Sequence, residues 1–365
     1  MDKAAVSDWL YSSDDVRTLC ARVCWPDEDP RAAGAVPAGL RNLKNTCFLN
    51  AVLQCLTYTP CLARVALGDG KLSTSIRSLQ DCNRELDVWT AVMHHIQKQI
   101  HARKVVAPKV ARDTIVSMKC WPEAYLRNKK QEDAEECFRI IVDRMHQCNL
   151  IENSLSADAI GPISETTVMH RVFGGYLASS LKCPLCNSVR VGCSRFVDVS
   201  VEISEATESV ATALSDFTRT ETLDDDNEWH CDSCAKPVKA EKQVTIRSAP
   251  LNLVVHFKRF KIGGFPTYRS HKIDRHVRFS ETLCLDAYMS ESSTDGNDYL
   301  LYGVIVHVGR SAARGHYISF IKSPNGKWYK MDDATVTVAN VANVLAQKAY
   351  MLFYRRQDAT LRLFD

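Results

Sequence analysis

The 365-residue chain has no apolar run approaching the roughly 18–20 residues that cross a bilayer as a helix, so no membrane association is expected. Its first residues, Met1-Asp2-Lys3-Ala4-Ala5-Val6-Ser7-Asp8, are too polar for a secretory signal. Neither sign of charge prevails. With 46 Lys and Arg against 43 Asp and Glu there is no global basic field, and nucleic acid is not expected as a partner. In a chain without a secretory signal, 15 cysteines read as reduced thiols and metal ligands, not as a disulfide framework. That points to an intracellular setting, cytoplasmic or nuclear. The remainder is an ordinary globular composition, 45% hydrophobic and 24% charged, long enough for one large domain or two.

Residues 1–36 read as an N-terminal extension: a short helical pattern through Trp9, Leu10, Val16, Leu19 and Val23, then a Pro-, Ala- and Gly-rich linker. The stretch from Gly39 to Asn50 is different. Thr46 is a favoured N-cap type, and Leu49, Val52, Leu53 and Leu56 follow at i, i+3, i+4 and i+7 until Pro60 ends the helix. Cys47 thus falls in a first turn, where unpaired N–H groups and the helix dipole favour thiolate. The position suits a nucleophile, and equally a small buried residue. Further helices are expected over Leu86–Ile96 and from Gln131 to Ile141, the second with an acidic first turn containing Asp133 and Glu136.

Strand-like alternation begins at Val168–Phe173 and recurs at Arg195–Val201 and Gln243–Ile246. Between these lie Cys183-Pro184-Leu185-Cys186 and Cys231-Asp232-Ser233-Cys234. Two such knuckles among strands complete a four-thiolate tetrahedron and predict a closed, structural zinc site, with a helical insertion at Ser209–Phe217 looped out between them. Cys193 and His230 are spare ligand candidates, His230, beside a knuckle, reading as a neighbour and not a fifth ligand. The C-terminal third predicts one long strand over Leu251–Phe260, another over Tyr302–Val308, a loop from Gly309 to Gly315, and a hairpin whose turn is Pro324-Asn325-Gly326. A turn centred on Asn325 sets His316 diagonally across from Asp332; a centre between Asn325 and Gly326 offers Asp333 instead. His307, on the preceding strand, reads as packed.

A cysteine at a helix start, a distant histidine and an acid just beyond it match the plan of a cysteine protease. The local sequences are more specific. Gly39-Leu40-Arg41-Asn42-Leu43-Lys44-Asn45-Thr46-Cys47-Phe48-Leu49-Asn50 resembles the cysteine box of the ubiquitin-specific proteases, and Gly315-His316-Tyr317 with Trp328-Tyr329-Lys330-Met331-Asp332-Asp333 resembles their histidine box. Gln131-Glu132-Asp133-Ala134-Glu135-Glu136 is similar to their glutamine-aspartate helix, and the knuckles to their fingers. The resemblance spans roughly residues 37–356, leaving 357–365 as a tail. It implies an α+β, papain-like fold with a helical thumb, a β palm and zinc-ribbon fingers, and thiol-dependent hydrolysis after the C-terminal glycine of ubiquitin by a monomer. By motif match Cys47 is the nucleophile, His316 the general base and acid, Asp332 its orienting acid with Asp333 as alternative or auxiliary, and Asn42 the oxyanion donor. Asp133, with Glu136 and Gln131, takes the ubiquitin tail; Cys183, Cys186, Cys231 and Cys234 hold zinc. Lys44 stands where the family usually has glycine, and Glu135 and Cys137 replace histidine and phenylalanine or leucine. These departures raise a second reading, a ubiquitin-binding scaffold of impaired activity.

Overall fold

The computed structural model describes residues 36–67, 87–117, 132–152, 156, 164–224, 226–262, 270–291, 296–311 and 314–357. The expectations for residues 1–35, Gln131 and 358–365 lie outside the described residues. The helix after Thr46 forms as Cys47–Thr57 (α1), and all of its residues are buried, which fits a helix enclosed on every side. Pro60 then opens Pro60–Leu67 (α2) at the one helical position where its missing N–H costs nothing. Val88–Ile100 (α3) is capped by Asp87, which accepts from the Thr90 N–H at 2.7 Å. Lys109–Ser117 (α4) and Ala134–Glu152 (α5) complete the thumb. Phe138 of α5 meets Phe173 and Phe353 edge-on at 5.3 and 5.6 Å between ring centroids, so helices and sheet share one core. Among the described residues no helix is long and apolar enough to cross a membrane.

The palm is an eight-stranded sheet. Its order is Thr335–Ala339, Trp328–Asp332, Arg314–Lys322, Asp298–Ser311, Ala349–Arg356, Asn252–Phe257 and Val199–Val201, with Thr282–Cys284 paired beside Asp298–Ser311. The last pair, Val199–Val201 with Asn252–Phe257, is parallel; the other pairs are antiparallel. One apolar cluster joins the palm to the thumb helices and a second fills the opposite side. A separate four-stranded sheet, Val189–Phe196, Gly175–Lys182, Glu241–Ser248 and Glu221–Thr222, forms the fingers and carries a knuckle beyond Lys182.

Four expectations need correction. Val168–Phe173 is a helix (α6), not a strand: Thr167 caps it by accepting from the His170 N–H, and Val168, Met169, Val172 and Phe173 are buried on one side, a pattern that six residues cannot distinguish from alternation. Arg195–Val201 divides, ending the fingers strand at Phe196 and starting a palm strand at Val199. The stretch Leu251–Phe260 also breaks, at Phe257, because the Lys258 N–H turns to the Val201 carbonyl and the Arg259 N–H to that of Phe257. Arg259 thereby enters the core, 1% exposed, and donates to the carbonyls of Ala349, Ile273 and Arg275 at 2.6–2.8 Å. The expected Gly309–Gly315 loop is mostly hairpin: after a bulge, Ser311 pairs with Arg314. The looped-out insertion does form, as Val210–Thr218 (α7), and packs Val210, Ala213 and Leu214 into the second palm cluster.

Arg259 holds three separate backbone carbonyls, so Arg259→Met should strand them and cost about 2–4 kcal/mol, read as a lower urea midpoint with an unchanged slope. A loss below half a kilocalorie would remove the guanidinium from that role.

Candidate active site

The 314–332 hairpin decides which aspartate meets His316. Lys322 pairs with Trp328 and Ser319 with Met331, so the register centres on Asn325, and Gly326 at φ +77° takes the conformation that glycine adopts without strain. In that register Asp332 shares a face with His316, and its Oδ1 lies 2.8 Å from His316 Nε2. Lys330 donates to the other oxygen at 2.9 Å. Partial burial disfavours the Asp332 charge, but the contacts with His316 and Lys330 outweigh it and hold the carboxyl below its ordinary range.

Asp333 has a different task. Its own φ of +50° turns it away from Asp332 toward the cysteine segment. There Oδ2 accepts from Asn42 Nδ2 at 2.8 Å, Oδ1 from Asn50 Nδ2 at 2.7 Å, and the carbonyl from the Leu40 N–H at 2.8 Å. Gly39 lies so close beneath this turn that a Cβ there would stand 2.4 Å from the Ala334 carbonyl oxygen. Asn42 in turn accepts from the Thr46 N–H at 3.2 Å, and the Thr46 hydroxyl, which supplies no helix cap, accepts from the Leu43 N–H at 2.9 Å. Lys44 and Asn45 have φ of +73° and +52°. A glycine would hold the Lys44 position without the strain of about 1 kcal/mol that an L side chain meets there.

Cys47 is 3% exposed, and the helix it opens packs against the Arg314–Lys322 strand that carries His316. The expected thiolate bias is overturned in this state. Burial raises the thiol above its ordinary value, the Asp333 charge adds to that, and the N–H groups of Tyr317, Phe48 and Cys47 only partly oppose it. Asp133 is engaged on both oxygens: Oδ1 accepts from the Glu135 N–H at 2.7 Å and Oδ2 from the Tyr350 hydroxyl at 2.5 Å. Glu136, in the first turn of α5, is exposed. Asn50 and Tyr350 escaped the sequence reading as site residues. Asn50 was detectable, as a polar side chain three positions after Cys47 in a mostly apolar helix; Tyr350 was not, since nothing local pairs it with Asp133.

The four knuckle cysteines converge. Sγ of Cys183 is 3.8 Å from that of Cys234, and Cys186 is 3.7 Å from Cys231. Disulfides need about 2.0 Å, whereas four sulfurs at about 2.3 Å from one tetrahedral ion stand about 3.8 Å apart, so the set fits a metal. The knuckles share a backbone device: Asn187 and Ala235 follow the second cysteine of each at φ +58° and +53°, and their N–H groups return to the Cys183 and Cys231 carbonyls. Cys193 and His230 are exposed and lie outside the cluster.

Mass-mapped alkylation of Cys47 in the free protein should accelerate with pH through a midpoint above the ordinary thiol value of 9.0, and Asp333→Asn should move that midpoint down. A midpoint near neutrality would contradict this electrostatic picture.

The family model "Ubiquitin carboxyl-terminal hydrolase" matches residues 38–354. Ubiquitin carboxyl-terminal hydrolase 23 of Arabidopsis thaliana is 38% identical over 325 residues, covering 88% of this chain and 36% of that protein. Ubiquitin carboxyl-terminal hydrolase 17-like protein 13 of Homo sapiens is 36% identical over 342 residues, covering 93% and 59%. The chain therefore spans between about a third and three fifths of the length of these two relatives. Among solved structures, a chain of the SAGA Ubp8/Sgf11/Sus1/Sgf73 DUB module bound to ubiquitin aldehyde superposes with a TM-score of 0.71 at 26% identity, over 90% of this chain and 71% of that one. The α+β architecture of thumb, palm and fingers and the extent of the match lead to one assignment: the chain belongs to the ubiquitin carboxyl-terminal hydrolase family, among its ubiquitin-specific proteases.

Proposed function

We propose that residues 37–356 form a thiol deubiquitinase that hydrolyses isopeptide or peptide bonds after the C-terminal glycine of ubiquitin, flanked by an extension at 1–36 and a tail at 357–365. The observation carrying this reading is the His316–Asp332 pair at 2.8 Å, with His316 on a strand that packs against the helix opened by Cys47. Asp332 occupies Nε2, which leaves Nδ1 of His316 for the thiol. His316 takes the Cys47 proton as sulfur attacks the glycine carbonyl, and returns it to the departing amine as the C–N bond breaks. Water, deprotonated by the same imidazole, then cleaves the thioester and restores the thiol. Asn42 keeps one amide hydrogen beyond its bond to Asp333 and donates it to the tetrahedral oxyanion; Asp333 acts through Asn42 as a positioning residue. The raised Cys47 thiol fits a free state in which the imidazole has not yet taken the proton, and the substrate's closing of the site completes the pair.

Asp133 and exposed Glu136 offer carboxylates to an arginine of the ubiquitin tail, the Asp133 oxygens keeping lone pairs beyond their two present bonds. A structural Zn2+ held by Cys183, Cys186, Cys231 and Cys234 closes the fingers; with all four positions filled it leaves no place for substrate. The protein is expected to work inside the cell and as a monomer. A scaffold that binds ubiquitin without cleaving it draws support from Lys44 at φ +73°.

Hydrolysis of a ubiquitin C-terminal fluorogenic amide should vanish in Cys47→Ala, and Asn42→Ala should lower kcat about 10²–10³-fold. Asp332→Asn should depress kcat more than Asp333→Asn does. Failure of the wild type to couple to ubiquitin bearing a C-terminal electrophile would decide for the scaffold. Metal analysis should find one zinc per chain, and stripping it should lower the thermal midpoint without altering the alkylation of Cys47. A zinc-free, fully stable protein would overturn the metal assignment.

A further inference from the structure

A second cluster lies where the thumb, the base of the fingers and the palm meet. Glu135 comes from the first turn of α5, Asp198 from the link between the fingers and palm strands, and His256 from the Asn252–Phe257 palm strand. One carboxylate oxygen of each acid and a ring nitrogen of His256 all stand within 4.8 Å of one another. His256 is 8% exposed. Its Nδ1 is 2.8 Å from the Ser200 hydroxyl, which itself donates to Asp198 Oδ2 at 3.1 Å and so accepts from the ring. The imidazole proton therefore sits on Nδ1. Nε2 carries a bare lone pair, sealed from solvent and without a hydrogen-bond partner.

We propose that Glu135, Asp198 and His256 bind one divalent transition-metal ion, at a site distinct from the four-cysteine cluster. Two carboxylates and a neutral imidazole are a donor set for manganese, iron, cobalt or zinc, and the absence of thiolate admits the harder members of that series. Water reaches the two carboxylates from a cavity of about 740 Å3 lined by Glu135, Asp198 and Ser200 together with Arg139 and Arg195, while His256 stands behind that lining. The charge balance calls for a cation. Asp133, Glu136 and Asp198 surround Glu135, whose carboxyl burial first, and then Asp198 and Asp133, push up to about 7. The cation facing both acids is Arg139, at 3.7 Å from Glu135 and 3.8 Å from Asp198, with a side chain 64% exposed. Those contacts are long and solvated, so a metal ion displaces the guanidinium at little cost. Burial likewise keeps His256 neutral at all ordinary pH, ready as a ligand. The ion would join α5, which bears Glu136 and begins directly after Asp133, to the palm strand beneath it.

The test is a Mn2+ titration of the zinc-loaded full chain followed by electron paramagnetic resonance, since Mn2+ does not compete for four thiolates. One Mn2+ per chain should bind, with spin-echo modulation from a single imidazole nitrogen. Glu135→Gln should weaken binding about tenfold or more, and Arg139→Gln should strengthen it. No binding at millimolar Mn2+ by wild type and Arg139→Gln alike would overturn the site. So would binding without nitrogen modulation, a wild-type measurement that holds even if Glu135→Gln fails to fold. Ubiquitin-amide hydrolysis, measured separately, tests the protease reading and leaves this result independent of it.

Discussion

The site depends on how the turn at Asp333-Ala334 receives the segment Gly39–Asn50. Three hydrogen bonds accepted by one aspartate, two at its carboxylate and one at its carbonyl, tie residues 40, 42 and 50 to a hairpin almost three hundred positions later. Gly39 permits that approach because no side chain intervenes. The cysteine helix is fully buried and fixed in orientation, so this one attachment sets where the sulfur stands relative to the hairpin that carries the imidazole. Loosening it by an ångström would separate the reacting groups without unfolding anything.

The hairpin divides two tasks between adjacent acids. Asp332, in extended backbone, orients His316; Asp333, in the left-handed region, orients Asn42. Consecutive residues on a strand ordinarily point to opposite faces, and the positive φ adds a turn that sends the second side chain across to the thumb. A carboxylate placed there also has an electrostatic cost, since it opposes ionisation of Cys47. The arrangement favours a protonated Cys47 thiol in this state.

Much of this was legible in the sequence. The helix at Cys47, the hairpin turn at Asn325-Gly326 and the paired knuckles were readable because each is set by short-range chemistry: a cap type with apolar spacing, a φ-permissive dipeptide, a two-residue thiolate spacing. The choice between Asp332 and Asp333 was reduced to two registers, but only the ladder could select one. Strand boundaries at Asp198 and Phe257 were hidden because they mark where the chain leaves one sheet for another, or admits Arg259 to the core, and neither event has a local signature. The Cys47 thiol was misjudged for a related reason. The helix end is visible in sequence, whereas the burial and the Asp333 charge that outweigh it come from distant residues.

The centring of the hairpin on Asn325 restricts how this region can change over generations. The turn uses the permissive backbone at Gly326 and the Asn325 side chain, which accepts from the Lys327 N–H and donates to the Tyr329 hydroxyl, both at 3.0 Å. Adding or deleting a single residue there would exchange the faces of every following side chain as far as Asp333. His316 and Asn42 would lose their aspartate partners together, so length drift at this tip should be tolerated only in even steps.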